Sequence, residues 1–218
     1  MCCDGFAIPW MFWALGGLSL LAAVVFAVLP ESPAAVRSVI KTTAVGSLAA
    51  LAALSGAGWL ALALAASALG DFALSRPGDR AFLAGMISFG AAHALYVGLF
   101  VWAGAEPRFA LGPLLGAVIL FSIGLKLGGA YSARAGDLAV AVRIYVGLIV
   151  LMAVAASFIP KGPGVPLIGV GALAFVVSDA LLGQQVFLKR LWRGQSFAIW
   201  STYYAAQVLL FAGLLQAA

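Results

Sequence analysis

Residues 138–159, LAVAVRIYVGLIVLMAVAASFI, form an apolar run of 22 residues with a single charge, Arg143. About 20 mainly apolar residues suffice to span a bilayer, and a backbone can satisfy its own hydrogen bonds there only as a helix. The stretch therefore predicts a transmembrane helix. The pattern recurs along the whole chain, because 65% of the 218 residues are hydrophobic and 9% are charged. In a soluble domain roughly a quarter of the residues are charged.

Apolar runs separated by Pro, Gly and charged residues predict about eight transmembrane helices. The predicted spans are 10–29, 36–55, 57–74, 81–103, 109–127, 138–159, 163–183 and 196–215. We therefore expect an all-α fold, a polytopic membrane helix bundle. Residues 1–218 would form a single eight-helix transmembrane domain.

The basic residues lie mainly on one side of this topology. Eight of them fall at the first, third, fifth and seventh connections, namely Arg37, Arg76, Arg80, Lys126, Arg134, Lys189, Arg190 and Arg193. The opposite side holds only Arg108 and Lys161. By the positive-inside rule the first side faces the cytoplasm, so both termini face outward. We expect a protein of the bacterial inner (plasma) membrane. The net charge of +5 is explained by basic residues that set the membrane topology, so we do not expect nucleic-acid binding.

The two halves of the chain share a pattern that predicts a 4+4 parallel internal repeat. In each half, a basic residue in the second span precedes an aspartate in the third: Lys41 and Asp71, then Arg143 and Asp179. A tyrosine follows each aspartate after 25 residues. Repeats of this kind place binding sites between the halves.

Ionisable residues inside the spans are the strongest functional signal, because a charge there costs roughly 2.5–3.5 kcal/mol on insertion scales. They are Lys41, Asp71, His93, Arg143 and Asp179. The topology puts all five in the cytoplasmic half of the membrane or near its midplane. We therefore expect one polar cavity that opens toward the cytoplasm. The alternatives are that the basic residues snorkel to the headgroups, that each aspartate is a structural ion-pair partner, and that His93 is a hydrogen-bonded residue between helices.

Helical spacing places further polar groups on inward faces. In the fourth span one stripe contains Phe82, Gly85, Phe89, His93 and Tyr96. In the eighth span another contains Trp200, Tyr204, Gln207 and Phe211, and Tyr203 also lies four residues before Gln207. In the sixth span Tyr145 follows Arg143 by two residues, roughly 160° away at about 100° per residue. Only one of these two side chains need point inward.

Several kinds of chemistry are excluded by what the sequence lacks. One histidine and two terminal cysteines, Cys2 and Cys3, cannot build the usual zinc sites, so we expect no metal. There is no Gly-x-Ser-x-Gly elbow with a plausible triad and no P-loop. The remaining carboxylates, cations, imidazole and phenols suit acid–base chemistry without a cofactor. The main alternative is a small-solute or lipid transporter, since paired intramembrane charges are also typical of carriers. A receptor or scaffold without chemistry is a second.

From about residue 38 to 212 the chain resembles the YhhN-like membrane proteins, the lysoplasmalogenases. The matching motifs are Gly70-Asp71, the stripe of the fourth span, Tyr145, Gly171-Ala172, Ser178-Asp179 and Tyr203-Tyr204-Ala205-Ala206-Gln207. One departure is that the family usually has Lys-Pro in the second span, where this chain has Lys41-Thr42.

The resemblance implies hydrolysis of the vinyl ether bond of a lysoplasmalogen, giving a fatty aldehyde and glycerophosphoethanolamine or glycerophosphocholine. The partners would be a lysophospholipid substrate and membrane lipids. Asp71 and Asp179 match the family motifs and would be the catalytic pair. The substrate-binding residues would be Lys41, His93, Tyr96, Arg143, Tyr145, Ser178, Tyr203, Tyr204 and Gln207. This cleavage needs an acid, a stabilising anion and an activated water, roles that two carboxyls in different surroundings can divide.

Overall fold

The structure, a computed structural model, describes residues 7–29, 34–107 and 110–217, and no strand occurs within these ranges. The α-helices are α1 (Ala7–Val28), α2 (Ala34–Leu54), α3 (Gly58–Leu74), α4 (Asp79–Trp102), α5 (Leu111–Ser132), α6 (Ala139–Ser157), α7 (Val165–Val186) and α8 (Gln195–Ala217). A 3-10 helix, Gly136–Leu138, precedes α6. The predicted all-α fold is confirmed. Cys2, Cys3 and Arg108 lie outside the described residues.

The helices have the length and the surface of membrane spans. Seven of those described are long and apolar enough to cross a bilayer, and α3 is a shorter apolar helix of 17 residues, near the lower limit for a span. Large apolar side chains on the outer faces are widely exposed, such as Val118 and Leu125 on α5 and Ile144 on α6. Contiguous exposed apolar surface of this kind suits hydrocarbon and not water. The chain is an integral membrane protein.

The predicted spans agree with the helices to within a few residues except at the end of α5. That span was predicted to end at residue 127, but the glycines at 128–129 continue the helix to Ser132. The placement of Lys126 in a connection was therefore wrong, because it lies inside α5, about 9 Å before the helix end at 1.5 Å per residue. Its exposed side chain can reach the headgroups from there. Two other basic residues assigned to connections lie in the first turns of α2 and α4: Arg37 and Arg80.

The helices group into two compact units, residues 1–92 and 93–218. In the first unit α2 packs on both α1 and α3. In the second unit α5 packs on α6, and α7 packs on α6 and α8. The boundary falls within α4, so it does not coincide with the middle of a 4+4 repeat. That repeat is not confirmed, and the single eight-helix domain stays a prediction.

Glycines let α3 and α4 approach closely next to Asp71. A Cβ built on Gly70 would lie 2.6 Å from the Phe89 ring, and one built on Gly85 would lie 2.6 Å from the Leu74 side chain. A side chain at either position would have to displace its neighbour, so these glycines allow the close approach that small residues provide between membrane helices. Because Gly70 directly precedes Asp71, this contact helps to fix where the aspartate lies in the first unit.

The contact between α7 and α8 also depends on glycine. A Cβ on Gly171 would lie 3.0 Å from the Leu210 side chain, and one on Gly213 would lie 2.8 Å from that of Ile168. These close approaches hold α7, the helix that carries Asp179, against α8.

Candidate active site

Asp71 forms a buried ion pair within the first unit. Nζ of Lys41, on α2, lies 2.8 Å from Oδ1 of Asp71, which is in the last turn of α3. The Asp71 side chain is 0% exposed and that of Lys41 is 20% exposed. A carboxylate removed from solvent costs several kcal/mol unless it is paired, so Lys41 stabilises the charge. The ion pair considered above as an alternative is therefore present at Asp71.

The helix that carries Lys41 is continuous. Thr42 stands where the family usually has proline, and α2 runs without a break from Ala34 to Leu54. The Thr42 hydroxyl is buried and has no hydrogen-bond partner among the described residues. The departure from the family motif thus accompanies an uninterrupted helix and one buried hydroxyl without a partner among the described residues.

Asp179 has different neighbours, within the second unit. The Tyr145 hydroxyl on α6 donates a hydrogen bond to Oδ2 of Asp179 on α7. Nε2 of His93 on α4 lies 3.6 Å from the same oxygen and 3.4 Å from the Tyr145 hydroxyl. His93, Tyr145 and Asp179 are called the Asp179 cluster below. Over the described ranges Asp179 forms no ion pair with a Lys or Arg, and its side chain is 13% exposed.

Arg143 points away from the Asp179 cluster. Its Nε donates to Oγ of Ser132, at the end of α5, over 3.0 Å, and the residue is exposed. Tyr145, two residues later on α6, reaches Asp179 instead. The prediction that one of these two side chains points inward is confirmed. The pairing of a basic residue with each aspartate therefore holds at Asp71 and not at Asp179, so the two halves of the chain differ in chemistry.

The hydrogen bonds indicate where the protons of the cluster lie. Because the Tyr145 hydroxyl donates its proton to Asp179, the Tyr145 oxygen can accept a hydrogen bond from the Nε2–H group of His93. Nδ1 of His93 then carries the lone pair; it is buried and has no hydrogen-bond partner among the described residues. We infer this tautomer from the network. The cluster is thus a connected series of three groups that can each take up or release a proton.

Aromatic rings fix the position of the imidazole. The Phe175 ring meets His93 edge-on with centroids 4.7 Å apart, and it also packs against Tyr203 at 5.4 Å. Phe175 is fully buried on α7, four residues before Asp179. The sequence analysis missed this residue. Its i, i+4 spacing from the aspartate, which puts both on one face of the helix, was the available signal.

A second buried polar pair joins α4 to α8. The Tyr96 hydroxyl donates to Oε1 of Gln207 over 2.8 Å, and both side chains are fully buried. Nε2 of Gln207 has no hydrogen-bond partner among the described residues. An unmet buried donor costs about 1–3 kcal/mol, so this amide can stabilise a polar group of a bound molecule.

The other predicted substrate-binding residues make contacts within α7 and α8. Ser178 donates to the backbone carbonyl of Ile199 over 3.0 Å and so ties the two helices together. Tyr203 packs on Phe175, and Tyr204 stacks on Trp200 with ring centroids 5.9 Å apart. Their role in substrate binding stays a prediction, as does a single cavity shared by both aspartates.

Comparisons with known proteins match most of the chain. The sequence pattern of the YhhN family matches residues 36–214. Lysoplasmalogenase TMEM86B of Homo sapiens is 35% identical over 148 residues, which cover 68% of this chain and 59% of the human protein. Lysoplasmalogenase TMEM86B of Sus scrofa is 32% identical over 151 residues, with the same two shares covered. The chain thus spans 59% of the length of the curated relatives that it matches. No solved structure matches.

Proposed function

The chain belongs to the YhhN family, and on that premise we propose that it hydrolyses the vinyl ether bond of lysoplasmalogens to a fatty aldehyde and a glycerophospho-alcohol. The two relatives named lysoplasmalogenase support this substrate class. The observation that carries the proposal is the Asp179 cluster, a carboxyl group that is hydrogen-bonded to a phenol and lies beside an imidazole. Within the described ranges no three His, Cys, Asp or Glu side chains come together as metal ligands would.

The first step is transfer of a proton to the vinyl carbon that is not bonded to oxygen. The π electrons of the double bond form the new C–H bond, and the ether oxygen shares the positive charge as an oxocarbenium ion. Asp179 is the proton donor in this scheme. Its Oδ2 accepts from Tyr145, while Oδ1 makes no hydrogen bond to the described residues and can carry the proton. Tyr145 and His93 can return a proton to the carboxylate afterwards.

The second step is addition of water to the carbon bonded to oxygen. His93 Nδ1 takes one proton from the water, because its lone pair is not engaged by another described residue. Tyr145 and His93 then return that proton to Asp179. As the hemiacetal collapses, His93 takes its hydroxyl proton, the bond to the glycerol oxygen breaks, and Asp179 protonates that oxygen. One water is consumed, and a second return of the proton from His93 through Tyr145 to Asp179 restores the cluster.

The remaining site residues have proposed roles that follow from their partners. Asp71, which matches the family motif, is the second carboxylate of the reaction and forms an ion pair with Lys41. The Nε2 group of Gln207, which has no partner among the described residues, binds a glycerol hydroxyl of the lysolipid. Tyr96 orients the amide through its hydrogen bond to Oε1. Two carboxyls with such different partners can divide the acid and the anion roles between them.

The orientation in the membrane is also part of the proposal. Basic residues cluster at the ends of the helices on one side, which supports cytoplasmic placement of that side and outward-facing termini. Asp71 and Asp179 are about 5 Å and 10 Å from the C-terminal ends of α3 and α7 at 1.5 Å per residue. Those ends are on the proposed cytoplasmic side. Location in a bacterial inner membrane stays a prediction.

Isotope labelling tests both the reaction and its mechanism. Protein purified in detergent should release aldehyde from a lysoplasmalogen and none from the matched lysolipid with a saturated ether. In deuterated water the aldehyde should carry deuterium on the carbon next to the carbonyl. In ¹⁸O-labelled water the glycerophospho-alcohol should contain no label, because water attacks the vinyl carbon. Label in the glycerol hydroxyl would refute this mechanism. Absence of aldehyde, together with gradient-driven uptake into sealed vesicles, would favour the transporter alternative.

A further inference from the structure

A groove of about 290 Å³ lies between α5 and α6 in the second unit, lined mainly by glycine and apolar side chains. Two kinds of glycine line it. A Cβ on Gly124 would lie 2.5 Å from the Val150 side chain, so this glycine is needed for helix packing. A Cβ on Gly129 or Gly147 would meet no atom within 4 Å. Gly129 and Gly147 therefore keep the groove open, and the contact between the helices does not require a glycine at either position.

Arg143 lines the groove and is held in place by α5. Its Nε donates to Oγ of Ser132, and this hydroxyl donates in turn to the Gly129 carbonyl over 3.2 Å. The two Nη groups make no hydrogen bond to the described residues. The free donors of this guanidinium can bind an anion at the membrane surface, and its planar fork matches a phosphate group.

The surrounding charge is also positive. Lys126 on α5 and Arg134 in the following connection are exposed near the same ends of α5 and α6, and that connection also contains the exposed Asp137. Each basic residue near a membrane surface favours anionic over neutral lipid by roughly fivefold. Charge complementarity thus selects a lipid with net negative charge.

The groove is not the place where Asp179 acts. Arg143 and Tyr145 are about 160° apart around α6, and Tyr145 bonds to Asp179 while Arg143 lines the groove. A lipid held by Arg143 therefore lies on the face of α6 opposite the Asp179 cluster, so it is not positioned for cleavage there.

We propose that this groove binds an anionic glycerophospholipid of the bilayer, with its phosphate on Arg143 and one acyl chain over Gly129 and Gly147. This site goes beyond the proposed function, because its ligand is a lipid that the protein retains and does not hydrolyse. The lipid-binding groove and the proposed hydrolysis can be refuted independently, because the tests of the groove measure lipid binding and not aldehyde release.

The first test measures the charge interaction by native mass spectrometry in detergent. Wild-type protein titrated with phosphatidylglycerol should retain one molecule, and phosphatidylcholine with the same chains should bind several-fold more weakly. Arg143→Ala should weaken phosphatidylglycerol binding roughly fivefold or more, and Arg143→Lys should fall between the two. Lys161→Ala removes one positive charge from the opposite side and should bind like the wild type. Equal binding of the two lipids, or an unchanged affinity in Arg143→Ala, would overturn the proposal.

The second test fills the groove without removing a charge. Gly147→Leu should fold, because its Cβ meets open space, and should weaken phosphatidylglycerol binding about tenfold or more. Each displaced chain methylene is worth about a fourfold change in affinity. Gly116→Leu places the same side chain on open α5 surface outside the groove and is the matched control. Unchanged binding in Gly147→Leu would overturn the site, as would displacement of phosphatidylglycerol by a lysophospholipid of higher affinity, which would make the groove a substrate site.

Discussion

Replacing Tyr145 by phenylalanine should slow aldehyde release and leave the fold intact. The change deletes one oxygen, which donates to Asp179 and lies 3.4 Å from His93 Nε2. Asp179 becomes charged as it releases its proton, and a hydrogen bond to a charged group is worth about 1.5–3 kcal/mol. Since about 1.4 kcal/mol is a factor of ten in rate, kcat should fall roughly 10- to 150-fold. The ring remains, with its centroid 5.5 Å from that of His93.

The assay is aldehyde release by monodisperse variants in detergent over a range of lysoplasmalogen concentrations. KM should change little, because the Tyr145 hydroxyl is proposed to act on Asp179 and not on the substrate. Tyr131→Phe is a matched control. It deletes the same atom in the second unit, where the hydroxyl donates to the carbonyl of Ala180, next to Asp179 in the chain, over 2.8 Å. Its kcat should equal that of the wild type.

A double variant tests whether Tyr145 and Asp179 act as one proton-transfer unit or contribute independently to the rate. Tyr145→Phe combined with Asp179→Asn should be no slower than Asp179→Asn alone, because residues that act as one unit are not additive. Two results would refute the reasoning: a wild-type kcat in folded Tyr145→Phe, or losses that multiply in the double variant.

Stability and topology provide the remaining predictions. Lys41→Ala should lower the melting temperature, because breaking a buried ion pair costs about 3–5 kcal/mol, and adding Asp71→Asn should recover part of the loss; a melt unchanged by Lys41→Ala would contradict the pair's importance. Tyr96→Phe should also lower it, because the buried Oε1 of Gln207 loses its donor, at a cost of about 1–3 kcal/mol; no shift would mean that another group donates to this oxygen. A reporter active only in the cytoplasm should give no signal when fused to the C-terminus, and a strong signal would reverse the topology.

The sequence was sufficient to predict the helices because hydrophobic length determines them. Each span had to be an uninterrupted helix to satisfy its backbone, so the bounds agree to within a few residues over most of the chain. The exception at the end of α5 has a physical reason. The glycines at 128–129 would often end a helix in water, but glycine is more frequent in membrane helices. A Cβ built on Gly128 would lie 3.4 Å from the Val146 side chain, so this glycine packs against α6.

The sequence was sufficient to predict most residues of the candidate site, but not which of them contact one another. Spacing on α6 indicated that Tyr145 and Arg143 face opposite ways, and the cost of buried charge indicated a partner for Asp71. Periodicity could not assign partners across helices, because it gives a face and not the rotation of the neighbouring helix. It therefore did not distinguish the ion pair at Asp71 from the phenol and imidazole at Asp179.

The most direct measurement of the central claim is aldehyde release by Asp179→Asn and Asp71→Asn beside the wild type. Asparagine keeps the size and much of the hydrogen bonding of aspartate but does not transfer a proton as a carboxyl does. General acid–base assistance is worth about 10²–10⁴-fold, so we expect kcat to fall at least about 100-fold in each variant, with an unchanged elution profile and helical content. A rate like that of the wild type in folded Asp179→Asn would contradict the claim that Asp179 is the proton donor, and the same result in Asp71→Asn would remove that carboxylate from the reaction.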